Sequence, residues 1–147
     1  MSMRMLRTAY TVSDMDRSLQ FYRDLLGLRV VRDKQRSGVS FERLLGIEGV
    51  TLRVVILEDG SSGHLLELVE FLSPPARGRR PREDEIGGST MCFVVDDITS
   101  LHKRLIAADV HVRSEPVDFV QEGRSVGRIM TAFDPDDIPV VLLEKET

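Results

Sequence analysis

Residues 12–31 read VSDMDRSLQFYRDLLGLRVV, and Val95-Asp-Asp-Ile98 opens a similar stretch 83 residues further on. In the first stretch Met15, Leu19, Tyr22 and Leu26 recur at steps of four, three and four, the spacing that lines one face of an α-helix. In the second, Ile98, Leu101, Leu105 and Ala108 recur at steps of three, four and three. Ser13 is placed to cap the first helix and Gly27 to stop it. Asp109 holds the stop position of the second, since Asp tolerates left-handed backbone better than most residues with a Cβ. An apolar strand precedes each helix, Leu6–Val12 and Thr90–Val95.

Working outward, three strand-like runs follow each helix. They are Leu28–Val31, Thr51–Leu57 and His64–Phe71 in the first half, and Val110–Arg113, Val126–Phe133 and Ile138–Lys145 in the second. Asp134-Pro-Asp-Asp137 is a turn signal between the last two. Each half therefore reads β-α-β-β-β, an α+β chain of two similar modules in one domain, residues 1–147. Module 1 covers about residues 5–72, a Pro/Gly-rich linker about 73–88, and module 2 about 89–147. Arg32–Val50 is the one long insertion, in which Phe41, Leu44, Leu45 and Ile47 predict a short helix, either over a cavity or packed plainly on the sheet.

The chain has 147 residues and a net charge of −4, which disfavours nucleic acid as a partner. Its single cysteine, Cys92, forbids an internal disulfide and points to the reducing cytoplasm. The N-terminus lacks the apolar run of a signal peptide, and no apolar stretch is long enough to span a bilayer. Arg77–Arg82 is basic, but acids follow it directly, so it reads as a solvated linker before it reads as a phosphate or coenzyme A contact.

Two strands carry a carboxylate among leucines: HLLELVEF (64–71) with Glu67, and IPVVLLEK (138–145) with Glu144. Side chains alternate along a strand, so Leu65, Glu67, Val69 and Phe71 share one face, and Val140, Leu142 and Glu144 share another. A strand apolar on both faces is covered on both. Each glutamate is then expected in an apolar concavity, where a carboxylate needs a partner. The plainer reading is a strand-end glutamate that reaches water. His64, three residues from Glu67, falls on the opposite face, and His102 and His111 read as surface or packing residues. By the same parity Ala9 and Thr11 share the face of Arg7, and Cys92 that of Thr90. Met130 and Phe119 fit the mouth of the concavity and plain core packing equally well.

VSDMDRSLQFYRDLLGLRVV, HLLELVEF, TMCFVVDDI (90–98) and FDPDDIPVVLLE (133–144) together resemble the vicinal oxygen chelate superfamily. That superfamily includes glyoxalase I, methylmalonyl-CoA epimerase, extradiol dioxygenases, and bleomycin- and fosfomycin-resistance proteins. The resemblance implies a half-open cup built from paired βαβββ modules, usually in a homodimer. It also implies a metal held by one side chain from the first and one from the last strand of each module. Those places here are Arg7, Glu67, Thr90 and Glu144, Glu67 and Glu144 being matched through their shared Leu-Leu-Glu. Relatives that bind metal carry histidines in the first and third places, so no metal and no other cofactor is expected.

Three functions follow. The first is a metal-independent lyase or isomerase acting on a small, largely apolar carbonyl compound. Glu67 and Glu144 would be its acid/base groups and Arg7 the partner of an oxyanion. Thr90, Cys92, Ala9, Thr11, Leu65, Val69, Leu142 and Met130 would line the site. The second is a bleomycin-resistance-like protein that sequesters a ligand without chemistry. The third keeps a divalent metal, as a glyoxalase or dioxygenase.

Overall fold

In the computed structural model, which describes residues 1–147, strand β1 (Arg7–Val12) leads into helix α1 (Met15–Leu19) through an extended Asp14. The Asp14 carboxylate accepts the Arg17 N–H at 3.1 Å. The cap is therefore Asp14 rather than the expected Ser13, because the helix starts one residue later. The second half repeats the device: Asp97 caps helix α3 (Ile98–Ala107) and accepts the Ser100 N–H at 2.9 Å.

Helix α1 continues as a wider π-helical turn, Gln20–Leu25, where Leu26 N–H reaches back five residues to the Phe21 carbonyl at 3.0 Å. A π turn closes over one residue more than an α turn and so shifts the helical phase. Phe21 and Tyr22 thus both turn inward and meet edge to face at 4.9 Å, while Leu26 is only half-buried. Gly27 ends the helix at φ +82°, as its place in the sequence predicts.

Four strands form the sheet of the first unit, Met1–Gly78, in the order β1-β4-β3-β2. They are β1, β2 (Arg29–Ser37), β3 (Thr51–Glu58) and β4 (Leu65–Ser73). Strand β1 runs parallel to β4, and the remaining pairs are antiparallel. One face packs on the helix, burying Met15, Leu19 and Tyr22 with Val55, Leu57 and Leu68. Full burial of one such side chain contributes roughly 1.5–3 kcal/mol. The other face carries a second core of Val50, Leu52, Val54 and Ile56, joined by Leu65, Val69, Phe71 and, from the insertion, Phe41 and Ile47. Phe41 lies in the expected short helix, α2 (Val39–Leu45), while Leu44 points to solvent.

The second unit, Arg79–Thr147, has a sheet in the order β5-β8-β7-β6. Its strands are β5 (Met91–Val94), β6 (Val117–Gln121), β7 (Arg124–Phe133) and β8 (Pro139–Lys145). The expected strand Val110–Arg113 is not one: it makes only the isolated bridge Val112↔Ala132, and Val117–Gln121 takes its place. Asp109 does adopt the left-handed conformation, at φ +58°. The Asp134 carboxylate accepts the Asp136 and Ile138 N–H groups at 2.8 and 2.9 Å, which closes the turn between β7 and β8. Gly127 lets those strands meet closely, since a Cβ there would clash with the Glu144 carbonyl oxygen. No helix is long and apolar enough to cross a membrane.

Candidate functional site

Glu67 lies on the second-core face of the first sheet. Its strand neighbours across the sheet are Ala9 on β1 and Ile56 on β3, so the three share that face. One row earlier along β1 is Arg7, beside Leu65, and one row later is Thr11, beside Val69. Arg7, Ala9, Thr11, Leu65 and Val69 are thus brought together around Glu67, as strand parity requires. The Glu67 side chain is 14% exposed and that of Arg7 42%. Their charges meet in an ion pair between Arg7 Nε and Glu67 Oε2. A half-buried carboxylate among Ile56, Leu65 and Val69 needs such a partner, because desolvation penalises an isolated charge.

Glu144 does not share this arrangement. Parallel pairing sets Val12 beside Glu70 in the first sheet and Val94 beside Leu143 in the second, so Val95 falls level with Glu144. Since Val12 and Val95 are equivalent in the repeat, the counterpart of Glu144 is Glu70. The counterpart of Glu67, level with Cys92, is Val141. The Leu-Leu-Glu match is therefore out of step by three residues, and an odd slip moves a side chain to the opposite face. Glu144 sits on the helix side, where its carboxylate accepts the Ile98 N–H at 2.8 Å. Glu70 accepts the Met15 N–H at 3.2 Å in the same way.

The same correction removes Leu142 and Met130 from the site. They pair with each other and with Phe93 on the helix side and are 0% and 3% exposed. Cys92 is on the opposite face with Val141 and Thr131, and it is exposed. Partial burial pushes its thiol up from the ordinary value, so it is no ready nucleophile. Thr90 precedes β5 and is exposed. Phe119 is half-buried on β6. His64 contacts the Thr8 hydroxyl at 3.2 Å, and His111 stacks on Phe133 at 4.6 Å, away from any carboxylate cluster.

Neither unit offers a donor set that suits a divalent metal. In the first Arg7 is a cation already joined to Glu67, in the second Val141 offers no donor, and no three His, Cys, Asp or Glu side chains converge. A transition-metal site calls for imidazole or thiolate ligands that these positions lack.

The sequence reading missed what stands across the sheet from Glu67. Beyond the bulge at Val30/Arg32, strand β2 places Arg32, Lys34 and Arg36 level with Ile56, Val54 and Leu52, on the same face. The alternation R-x-K-x-R in residues 32–36 carries that signal, inside the stretch that its lack of apolar residues marks as an insertion.

Relatives agree with this architecture. Lactoylglutathione lyase from Haemophilus influenzae is 35% identical over 145 residues, covering 99% of this chain and 95% of that protein. A 2-epi-5-epi-valiolone epimerase from Actinomyces sp. is 28% identical over 111 residues, covering 74% of this chain and 56% of the epimerase, so little more than half of that protein is matched. The crystal structure of a glyoxalase family protein from Bacillus cereus superposes with a TM-score of 0.88 at 20% identity, covering 100% of this chain and 97% of that one. The profile of the Glyoxalase/Bleomycin resistance protein/Dioxygenase superfamily matches residues 4–142, and the chain belongs to that family.

Proposed function

We propose that this protein is a metal-independent lyase or isomerase for a small carbonyl compound, with Glu67 as its general acid/base and Arg7 as its electrophilic partner. The observation that carries the reading is the Arg7–Glu67 ion pair set on a half-buried apolar face. Relatives named as a lyase and as an epimerase support the same broad chemistry.

In this reading a ligand carbonyl lies against Arg7 with its neighbouring C–H toward Glu67. The carboxylate takes that proton, and the C–H electron pair moves into the carbonyl, whose oxygen becomes an enolate oxyanion. Arg7 holds the oxyanion by charge-assisted hydrogen bonds. Return of the proton from Glu67 to the same carbon, after the enolate has turned over in the site, gives an epimer. Where that carbon bears a hydroxyl, passage of the hydroxyl proton to the oxyanion and return of the Glu67 proton to the former carbonyl carbon gives an isomer. Collapse of the enolate with departure of a β-substituent, which leaves with the electron pair of its broken bond, gives a lyase product. Only one carboxylate takes part, because Glu144 and Glu70 are each engaged at a helix start. The apolar surroundings of Glu67 strengthen both its attraction to Arg7 and the stabilisation of the oxyanion.

The protein works in the cytoplasm as a homodimer in this reading. Each sheet has two edge strands, β1 and β2 in one and β5 and β6 in the other, and open edges call for a cover. Light scattering at micromolar concentration should give twice the chain mass.

The test is deuterium uptake in D₂O at the carbon beside the carbonyl, followed by NMR over a panel of small 2-oxo compounds together with lactoylglutathione. Wild-type protein dialysed against EDTA should catalyse uptake with at least one of them. Glu67→Gln should slow it by about 10²–10⁴-fold, the usual worth of a positioned acid or base. Full activity in Glu67→Gln, or activity that vanishes with EDTA and returns with a divalent metal, would overturn the proposal.

A further inference from the structure

We infer that the ligand held beside Glu67 carries an anionic group, a carboxylate or a phosphate, bound by Arg32, Lys34 and Arg36 at the far edge of the same sheet face. The inference rests on the proposed carbonyl site and names the class of compound that fits it.

The face carries two carboxylates, and both are already paired, Glu67 with Arg7 and Glu58 with Arg29. Arg32, Lys34 and Arg36 are level with Ile56, Val54 and Leu52, and none of their side chains is joined in an ion pair or a hydrogen bond. The Asp33 carboxyl is held low first by its hydrogen bonds with Arg53, on the helix side, and least by the charge of neighbouring Lys34. Three cations thus stand beside an apolar strip with no protein anion to answer them. They do so in a chain whose net charge is −4.

Spacing sets the size of the ligand. Glu67 lies on β4 and Arg32 on β2, two strands apart, with Ile56 between them. Adjacent strands are about 4.8 Å apart, so the two backbones are separated by roughly 10 Å. Arginine and lysine side chains reach inward over apolar surface, which shortens the span a ligand has to bridge. A carbonyl at Arg7 and an anion at β2 match the order of groups across the sheet, with Ile56 and Val54, themselves 7% and 8% exposed, as the floor between them. Guanidinium groups suit a carboxylate or phosphate in particular, through paired N–H donors.

A basic edge strand also discourages sheet-to-sheet pairing between molecules. Ligand charge separates the two roles. The probes are 6-oxo-6-phenylhexanoate, which has a carbonyl, an apolar body and a terminal carboxylate, and its neutral methyl ester. Binding of both is measured by calorimetry to wild type, to the triple variant R32Q/K34Q/R36Q and to each single variant, with melting temperature as a check on folding. Wild type should bind the acid about tenfold or more tightly than the ester, the scale expected of hydrogen bonds to a charged group. The preference should shrink with added salt and vanish in the triple variant, through loss of affinity for the acid. Inorganic phosphate should compete with the acid and not with the ester.

Equal affinity of wild type for acid and ester would overturn the inference and leave the carbonyl site standing. An acid preference that survives in a folded triple variant, or in all three single variants should the triple one not fold, would also overturn it. Binding of neither probe at millimolar concentration would overturn both the inference and the carbonyl site beneath it.

Discussion

Glu70 and Glu144 are structural counterparts: each reaches from the last strand of its unit to the first N–H of that unit's earlier helix, Met15 at 3.2 Å and Ile98 at 2.8 Å. The helix starts would otherwise leave these donors without an acceptor. Both carboxylates also sit at the positive end of a helix dipole. The two units have thus kept the same device for fixing helix to sheet, although their other faces have diverged.

Replacement of either residue should therefore act on stability and spare chemistry. Glu144→Ala and Glu70→Ala are each expected to lower unfolding free energy by about 0.5–2 kcal/mol, the usual range for a lost helix cap. Urea denaturation measures this directly. Deuterium uptake at 25 °C should stay at the wild-type rate, and a Glu144→Ala variant that folded normally but lost activity would return Glu144 to the catalytic set.

Acid should loosen the first unit through Asp33. Arg53 bridges Asp33 and Asp16 at 2.8 and 2.9 Å, and its hydrogen bonds hold the Asp33 carboxyl below the ordinary carboxylate value. A carboxyl depressed in the folded state adds stability above its unfolded pKa, and that stability is lost as pH falls through the folded value. The loss should therefore begin near pH 4 and continue below it, about the pKa of an unfolded aspartate. Urea midpoints taken from pH 5 downward should fall less steeply for Asp33→Asn than for wild type. Parallel slopes would show that the Arg53 bridge contributes nothing measurable, as many exposed pairs do.

Cys92 offers a check on the site boundary. Its thiol is raised by burial and has no activating histidine, so iodoacetamide should modify it more slowly at pH 7.5 than a free cysteine. Cys92→Ala should keep wild-type deuterium uptake. Loss of uptake would mean that the second unit supplies a reacting group.

The repeat was legible because helix and strand periods are local. Met15, Leu19, Ile98 and Leu101 announce their faces by spacing alone, and Gly27 and Asp109 mark the stops. Glu67 and its neighbours Leu65, Val69, Ala9 and Thr11 were legible for the same reason, since alternation fixes a face within one strand. Register between strands was not. Leu-Leu-Glu occurs in both modules, but hydrogen-bonded pairing with β1 and β5 decides which residues are equivalent, and it sets Glu67 against Val141. The π turn hid the inward position of Phe21 by shifting the helical phase. Strand β2 runs to Ser37, beyond the Val31 expected because Arg32, Lys34 and Arg36 lack the apolar alternation that marks a buried strand.

The Arg7–Glu67 pair makes the sharpest prediction, since catalysis and structure ask different things of Arg7. If Arg7 only neutralises Glu67, Arg7→Lys should preserve most of its effect, because any nearby cation serves. If Arg7 holds a developing oxyanion while staying joined to Glu67, it needs several donors in one plane, which lysine does not supply. Arg7→Lys should then retain ligand binding and melting temperature but lose turnover. Arg7→Gln, with no charge, should lose about 10²–10³-fold, the usual cost of removing an oxyanion donor. Deuterium uptake and calorimetric affinity measured on the same two variants decide the matter. Wild-type turnover in Arg7→Lys would leave the ion pair as a structural device and move the oxyanion site elsewhere on the face.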